Sequence, residues 1–492
     1  MKFGDAALAY SAFLDVWPDY RETESLDELR ARDYARLDAA GNVYLDYTGG
    51  GLYASSQVRA HAALLEQHVF GNPHSASLAS SAATTLVERT RRAVLDWFDA
   101  DPAVYTVIFT ANATSAIKLL GEAFPFGPGG ALLLTYDNHN SVNGLREFAR
   151  GRGASTTYAP LTMPDLRIDR QALLAQLDTD SQAPRLFAYP AQSNFSGVEH
   201  PLDFVEAARA RGWLVLLDAA AYVPTNRLSL RHVPADFVAV SFYKMFGYPT
   251  GVGCLLARVQ SLAQLTRPWF GGGTVNFATV HAQAHLLAPR EAGYEDGTVN
   301  YLGIPAVEIG LNHLAAVGLD VVKRRVRCLT GWVLRELLEL RHRNGAPVCR
   351  IYGPVTTHQR GGTITFNMYD PSGHLLDYRR IEELASDAGI SLRTGCFCNP
   401  GVGETAEGIS DEDVRAALES SADMSLPRFL QFIQHRGGRS AGALRVSFGV
   451  ASNFTDVHRF MVFVGALQDQ TQLTIGAVTF DIQSCRVMRD GS

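Results

Sequence analysis

Lys244 stands where an apolar run gives way to glycine and proline, in Val240-Ser241-Phe242-Tyr243-Lys244-Met245-Phe246-Gly247-Tyr248-Pro249-Thr250-Gly251. Phe237 to Val240 reads as a buried strand, and Gly247, Pro249 and Gly251 end it in turn chemistry. A lysine at such an end is partly desolvated, which lowers its pKa and frees the amine for imine formation with an aldehyde cofactor. A surface lysine at a strand end is the plain alternative, and the other polar residues of the chain decide between the two.

Asp218 closes the apolar run Trp213 to Leu217, one strand–helix–strand unit before Lys244, so both reach the same sheet edge. A carboxylate there can pair with a protonated ring nitrogen and make the ring an electron sink, or it can cap the following turn. His139, in Asp137-Asn138-His139-Asn140-Ser141, follows the strand Leu132 to Tyr136 and can stack on a flat cofactor or hydrogen-bond locally. Thr110-Ala111-Asn112-Ala113-Thr114-Ser115 joins a strand to a helix. Its free N–H groups and positive dipole end suit a phosphate, while Asn112 or Thr114 equally suits a simple cap.

Two further patterns lie near the C-terminus. Arg393-Thr394-Gly395-Cys396-Phe397-Cys398-Asn399-Pro400-Gly401 puts two cysteines in a loop beside a cation, which lowers a thiol pKa. Cys254, Cys328, Cys349 and Cys485 stand singly, against a structural zinc site. Arg445, inside the apolar Leu444 to Phe448, needs a carboxylate: an internal Asp or Glu, or the α-carboxylate of an amino-acid substrate.

Strand, turn and helix alternate from about residue 100 to 260, predicting a mainly parallel sheet covered by helices. Ala103 to Thr110, Leu132 to Tyr136, Leu186 to Tyr189, Leu214 to Leu217 and Phe237 to Val240 are its strands, and Leu202 to Arg211 is a helix closed by Gly212. Pro305 to Leu340 reads as one long helical stretch leading to a smaller α+β domain with Gly362 to Met368, Leu444 to Phe448 and a helix after Thr455. The expected division is an N-terminal segment, 1–70, that joins the small domain; a large domain, 71–315; and the small domain, 316–492. Residues 404–438 read as an insertion.

The 492 residues are 47% hydrophobic, enough for extensive cores, and the net charge of −6 with no basic block implies neither nucleic acid nor a membrane as partner. Met1 to Tyr20 lacks the basic start and apolar run of a signal peptide. Six cysteines without a regular framework suit a reducing compartment, so a cytoplasmic enzyme is expected.

Together these residues resemble the class V aminotransferase group of fold-type I pyridoxal phosphate enzymes, and within it the cysteine desulfurases. The likeness is greatest to the desulfurase part of molybdenum cofactor sulfurases. It runs from about Tyr44 to Phe463 through Phe70-Gly71-Asn72-Pro73-His74-Ser75, Ala191-Gln192-Ser193-Asn194-Phe195-Ser196-Gly197, the Lys244 segment, Phe270-Gly271-Gly272-Gly273-Thr274-Val275 and Cys396-Phe397-Cys398-Asn399-Pro400-Gly401. The resemblance implies a seven-stranded, mainly parallel sheet and makes Lys244 the Schiff-base lysine, Asp218 the partner of the pyridine nitrogen and His139 the stacking ring. It gives Asn194 the cofactor's 3-oxygen and Ala113, Thr114 and Ser241 its phosphate. Tyr243 stands beside the cofactor, where many desulfurases have histidine. Thr298 resembles the threonine that reaches the neighbouring subunit's phosphate, implying a homodimer. Arg445, with Arg393, Asn72 and His74, would bind the substrate, L-cysteine or a related amino acid. Cys398 aligns with the nucleophile that becomes a persulfide and passes sulfur to a protein or small molecule.

Departures from the pattern are Ala221 for a common glutamine, Tyr47-Thr48-Gly49-Gly50-Gly51 near the substrate, Gly403 for a further cysteine, and no counterpart of the branch's C-terminal sulfur-delivery domain. The rival expectations are a C–S lyase, epimerase or aminotransferase with the same cofactor, and a non-catalytic sulfur-relay or scaffold protein.

Overall fold

The computed structural model describes residues 5–73, 75–179, 181–420, 432, 442–471, 478–481 and 486–489. His74 therefore lies outside the described residues, as does most of 421–441. Seven strands form the central sheet: β1 (Tyr105–Thr110), β2 (Ala131–Thr135), β3 (Ser155–Ala159), β4 (Arg185–Pro190), β5 (Leu214–Asp218), β6 (Phe237–Ser241) and β7 (Gly253–Arg258). Their spatial order is β1-β7-β6-β5-β4-β2-β3. The run β6-β5-β4-β2-β3 pairs in parallel, and β7 is antiparallel to both neighbours.

Alternate residues of these strands feed two separate cores, as a period of two requires. Val107, Leu133, Phe187, Val215 and Val238 point to one face, while Ile108, Leu132, Leu186, Leu216 and Ala239 point to the other. The strands read from apolar runs are present. Sequence reading passed over β3, whose Ser155-Thr156-Thr157 start is polar, and β7, which lies directly behind a Gly/Pro loop.

Pro305 to Leu340, expected as one helix, is two: α3 (Pro305–Val317) and α4 (Leu319–Glu339), meeting at 69°. Gly318 breaks them at φ +85°, a left-handed value that glycine adopts without a Cβ clash. Among the described residues no single helix is long and apolar enough to cross a membrane. This bent pair passes only when joined, and its Val307, Leu311, Val326 and Leu329 are buried in protein core.

A second, antiparallel sheet has the order β8 (Cys349–Tyr352), β9 (Thr363–Met368), β11 (Ala443–Ser447), β10 (Arg393–Gly395). Its core also takes Phe13, Tyr20, Tyr34 and Val43 from the N-terminal segment, packed with Trp332, Phe366 and Phe454. Phe13 and Phe454 pack with ring centres 4.8 Å apart and planes tilted by 32°.

Candidate active site

In a parallel sheet the loops after the C-terminal strand ends gather on one edge, where ligands bind. Here β2 delivers His139, β4 leads to Asn194, β5 ends on Asp218, β6 ends on Ser241, and α1 (Ala113–Ala123) begins just beyond β1. Lys244 lies in the short helix α2 (Phe242–Phe246), which follows β6 without a gap. Gly247 closes α2 at φ +77°, and its N–H donates to the Tyr243 carbonyl at 3.0 Å.

Burial pulls the Lys244 amine below its ordinary pKa, and Asp218 opposes that shift while Arg445 and Arg393 add to it. Burial likewise lowers the His139 pKa, which favours the neutral imidazole, with Asp218 opposing and Lys244 and Arg445 adding to the shift. Lys244, Asp218, His139 and Arg445 thus occupy one electrostatic neighbourhood. The local roles read from sequence also hold: Asp218 Oδ1 accepts from Ala220 N–H at 3.0 Å, and His139 Nδ1 accepts from Ser141 N–H at 3.1 Å. Tyr243 presents its ring to Gly50, and burial raises its hydroxyl pKa.

At the start of α1, Asn112 caps the helix by accepting from Ser115 N–H at 2.9 Å. Ala113 N–H donates to Ser241 Oγ at 3.0 Å, and Thr114 Oγ1 lies 2.7 Å from Ser141 Oγ. A Cβ on Gly253 would come within 2.6 Å of the Asn112 Cα, so the turn needs glycine opposite it. This gathering of helix N–H groups, small residues and hydroxyls fits a phosphate. With a desolvated lysine, a strand-end carboxylate and an imidazole beside it, the set fits pyridoxal phosphate.

Thr298 is exposed, accepts from Asn72 Nδ2 at 3.2 Å, and lines a cavity of about 330 Å³ with Thr110, Ala111, Ser115, Gly251 and Asp296. Asn194 is held on both sides: its Nδ2 donates to the Phe397 carbonyl at 2.8 Å, and its Oδ1 accepts from Asn399 Nδ2 at 2.9 Å.

Arg445 is buried and takes the internal carboxylate that the sequence left open. Its Nη2 donates to Asp46 Oδ1 at 3.0 Å and its Nη1 to the Asn194 carbonyl at 3.0 Å, and its guanidinium lies 4.7 Å from the Phe397 ring centre. Nε of Arg445 is buried without a hydrogen-bond partner. Arg393 holds the other oxygen of Asp46 at 2.8 and 2.6 Å. Two guanidiniums thus face one carboxylate, leaving a positive excess for a second anion. Sequence reasoning missed Asp46, although a carboxylate after Val43-Tyr44-Leu45 interrupts an apolar run as Arg445 does.

The unusual glycine run beside it has a steric cause: a Cβ on Gly49 would lie 2.7 Å from Arg393 Nη2, and one on Gly51 2.9 Å from the Lys244 carbonyl. Cys398 is exposed and Cys396 partly so. Phe397 and Cys398 both have φ of +54°, in the left-handed region. The Cys398 carbonyl accepts from Asn140 N–H at 2.7 Å, which docks the cysteine loop beside His139.

A desolvated lysine and a carboxylate at the ligand edge of a doubly covered sheet define the class as α/β enzymes with a Schiff-base lysine. Residues 43–460 match the family Aminotransferase class-V, and the chain belongs to that family. It is 36% identical over 501 residues to a molybdenum cofactor sulfurase of Arabidopsis thaliana, covering 92% of this chain and 60% of that protein. Against a molybdenum cofactor sulfurase of Bos taurus it is 37% identical, covering 94% and 54%. The chain thus spans little more than half the length of these relatives. An apo cysteine desulfurase from Thermococcus onnurineus shares the fold with a TM-score of 0.74 at 22% identity, covering 90% of this chain and 97% of that one.

Proposed function

We propose that the protein is a pyridoxal phosphate-dependent L-cysteine desulfurase that yields L-alanine and a persulfide on Cys398, which is passed to an acceptor. One observation carries this reading: the loop bearing Cys398 is docked on the residue after His139 and bonded to Asn194, so a thiol attends the Lys244 edge.

When bound, the cofactor supplies an electron sink for the substrate's carbon. Asp218 would hold the ring nitrogen protonated, His139 would cover the ring, Asn194 would meet the 3-oxygen, and Ala113, Thr114 and Ser241 would take the phosphate. Arg445 and Arg393 bind the substrate carboxylate with their positive excess. The lowered pKa of Lys244 favours the neutral amine needed to link the cofactor and then to move the Cα proton. The Cys398 thiolate attacks the substrate sulfur. A sulfur–sulfur bond forms as the carbon–sulfur bond breaks, and the carbon keeps that electron pair and takes a proton, giving alanine. Atoms balance, since cysteine less one sulfur is alanine.

The reading includes a cytoplasmic homodimer in which Thr298 serves the neighbouring chain's phosphate. Its exposure, and that of Trp269, Phe270 and Phe277 on the same stretch, supports a covered surface there. Sedimentation at micromolar concentration reads this, and a monomer would remove it.

The activity is tested by incubating the pure protein with pyridoxal phosphate and L-cysteine. Alanine with one added sulfur on the Cys398 peptide is expected. Pyruvate or a racemised amino acid with unmodified Cys398 would replace the reading by a lyase or an epimerase.

A further inference from the structure

Beneath the cysteine loop is a buried polar network centred on Asp137, a residue with no role in the chemistry above. Asp137 and His200 have side chains with 0% exposure, and His200 Nε2 donates to Asp137 Oδ2 at 2.7 Å. Because a carboxylate only accepts, this bond fixes the hydrogen on Nε2. Asp137 Oδ1 accepts twice more, from Ser193 Oγ at 2.8 Å and from Asn399 Nδ2 at 2.8 Å. The same Asn399 amide donates to Asn194 Oδ1 at 2.9 Å. Asn399 is 1% exposed, and its backbone N–H donates to the Cys396 carbonyl at 3.0 Å.

Two of these links, from the Asn399 amide to Asp137 and to Asn194, tie the loop to the sheet edge. Asp137 follows β2 and Asn194 follows β4, so Asn399 spans two strand ends with a single amide. Backbone N–H groups of Phe195 and Ser196 donate to Ser193 Oγ at 3.2 and 3.0 Å, which fixes the hydroxyl that faces Asp137. The tie has strain to oppose, because Phe397 and Cys398 both sit at positive φ, a conformation unfavourable for residues with a Cβ.

We propose that Asn399 is a positioning residue: its amide latches the Cys396–Cys398 segment to Asp137 and Asn194 and so sets the place from which the Cys398 thiolate reaches the substrate. This rests on the reading of Cys398 as sulfur acceptor. Asn399 touches neither substrate nor cofactor in this scheme, and its effect passes through the loop. A network member that only stabilised the fold would change stability alone.

The test is Asn399→Ala in the full-length protein loaded with pyridoxal phosphate, with Asn399→Asp as a second variant of equal size that sets a carboxylate against Asp137. Hydrogen exchange by mass spectrometry across residues 393–403 is expected to quicken roughly tenfold in either variant, with β2, β4 and β5 unchanged. The first-order rate of sulfur transfer to Cys398 is expected to fall about tenfold or more, with KM for L-cysteine and the bound-cofactor spectrum retained. Unchanged loop exchange in both folded variants would overturn the latch, whatever the activity. So would quickened exchange with an unchanged transfer rate. If wild-type protein forms no persulfide, the desulfurase reading fails, and the exchange measurement still decides whether Asn399 holds the loop.

Discussion

Arg445 and Arg393 share the carboxylate of Asp46, one guanidinium on each oxygen. The two belong to paired strands, β11 and β10, where they are directly opposite in register. Like charges so placed repel unless a carboxylate lies between them. Asp46 therefore holds the cluster together, and under the proposed role of Arg445 it would compete with the substrate carboxylate for that guanidinium.

Substitutions on the two sides of that cluster are expected to act with opposite sign. Arg445→Lys loses the fork geometry and should raise KM for L-cysteine by roughly 10- to 100-fold, the scale of about 1.5–3 kcal/mol for a charge-assisted bond. Asp46→Asn should lower KM several-fold and destabilise the protein by about 3 kcal/mol, because it leaves a buried charge unpaired. Steady-state kinetics beside urea unfolding separate the two effects, and a higher KM for Asp46→Asn would contradict the competition.

Lys244→Ala is expected to keep the fold and lose any borohydride-reducible link to the cofactor. Removing a desolvated amine costs the folded state little, so the melting temperature should change by only a few degrees. A cofactor still fixed by borohydride in this variant would assign the linkage to another lysine.

The pH dependence follows from the sign of each shift on Lys244. Burial lowers its pKa and Asp218 raises it, so linkage of pyridoxal phosphate to the apo-protein should quicken with rising pH and level off below the ordinary lysine value of 10.5. Asp218→Asn removes the opposing charge and should move that midpoint to lower pH still, while turnover falls roughly two to four orders of magnitude. Absorbance after mixing at a series of pH values measures the midpoint. A shift to higher pH would mean that Asp218 does not act on Lys244.

The two cysteines should separate cleanly. Cys398→Ser is expected to bind cofactor and L-cysteine yet accumulate no persulfide, because a hydroxyl is a far poorer nucleophile toward sulfur than a thiolate. Cys396→Ser should keep most activity. Mass spectrometry of the loop peptide distinguishes them, and sulfur on Cys396 would reverse the roles.

Gly247→Ala is expected to destabilise the protein by about 2–4 kcal/mol, combining a left-handed backbone with a steric clash. The added Cβ would fall among the backbone atoms of Leu52 and Tyr53. Denaturant unfolding with an unchanged midpoint would show that the loop around Tyr53 moves freely aside.

What the sequence disclosed depended on range. Lys244, Asp218 and His139 each follow a short apolar strand, and periodicity with turn chemistry marks such places locally. Asp46 and Arg445 are 399 residues apart, and no local pattern reports that pairing. His200 carried no signal at all, since its partner Asp137 lies on another strand end. The break at Gly318 escaped notice because glycine inside a helical pattern is often tolerated, and only its φ shows that the chain turns there.

The placement of Phe13 against Phe454 bears on synthesis. Phe13 has its apolar partners Trp332 and Phe454 far along the chain, so it and Tyr20 lack that cover until those residues have been made. Contacts of such sequence separation close slowly and leave exposed apolar surface open to self-association in the meantime. Chains halted before Phe454 are therefore expected to expose Phe13 and Tyr20 and to aggregate more than the whole chain.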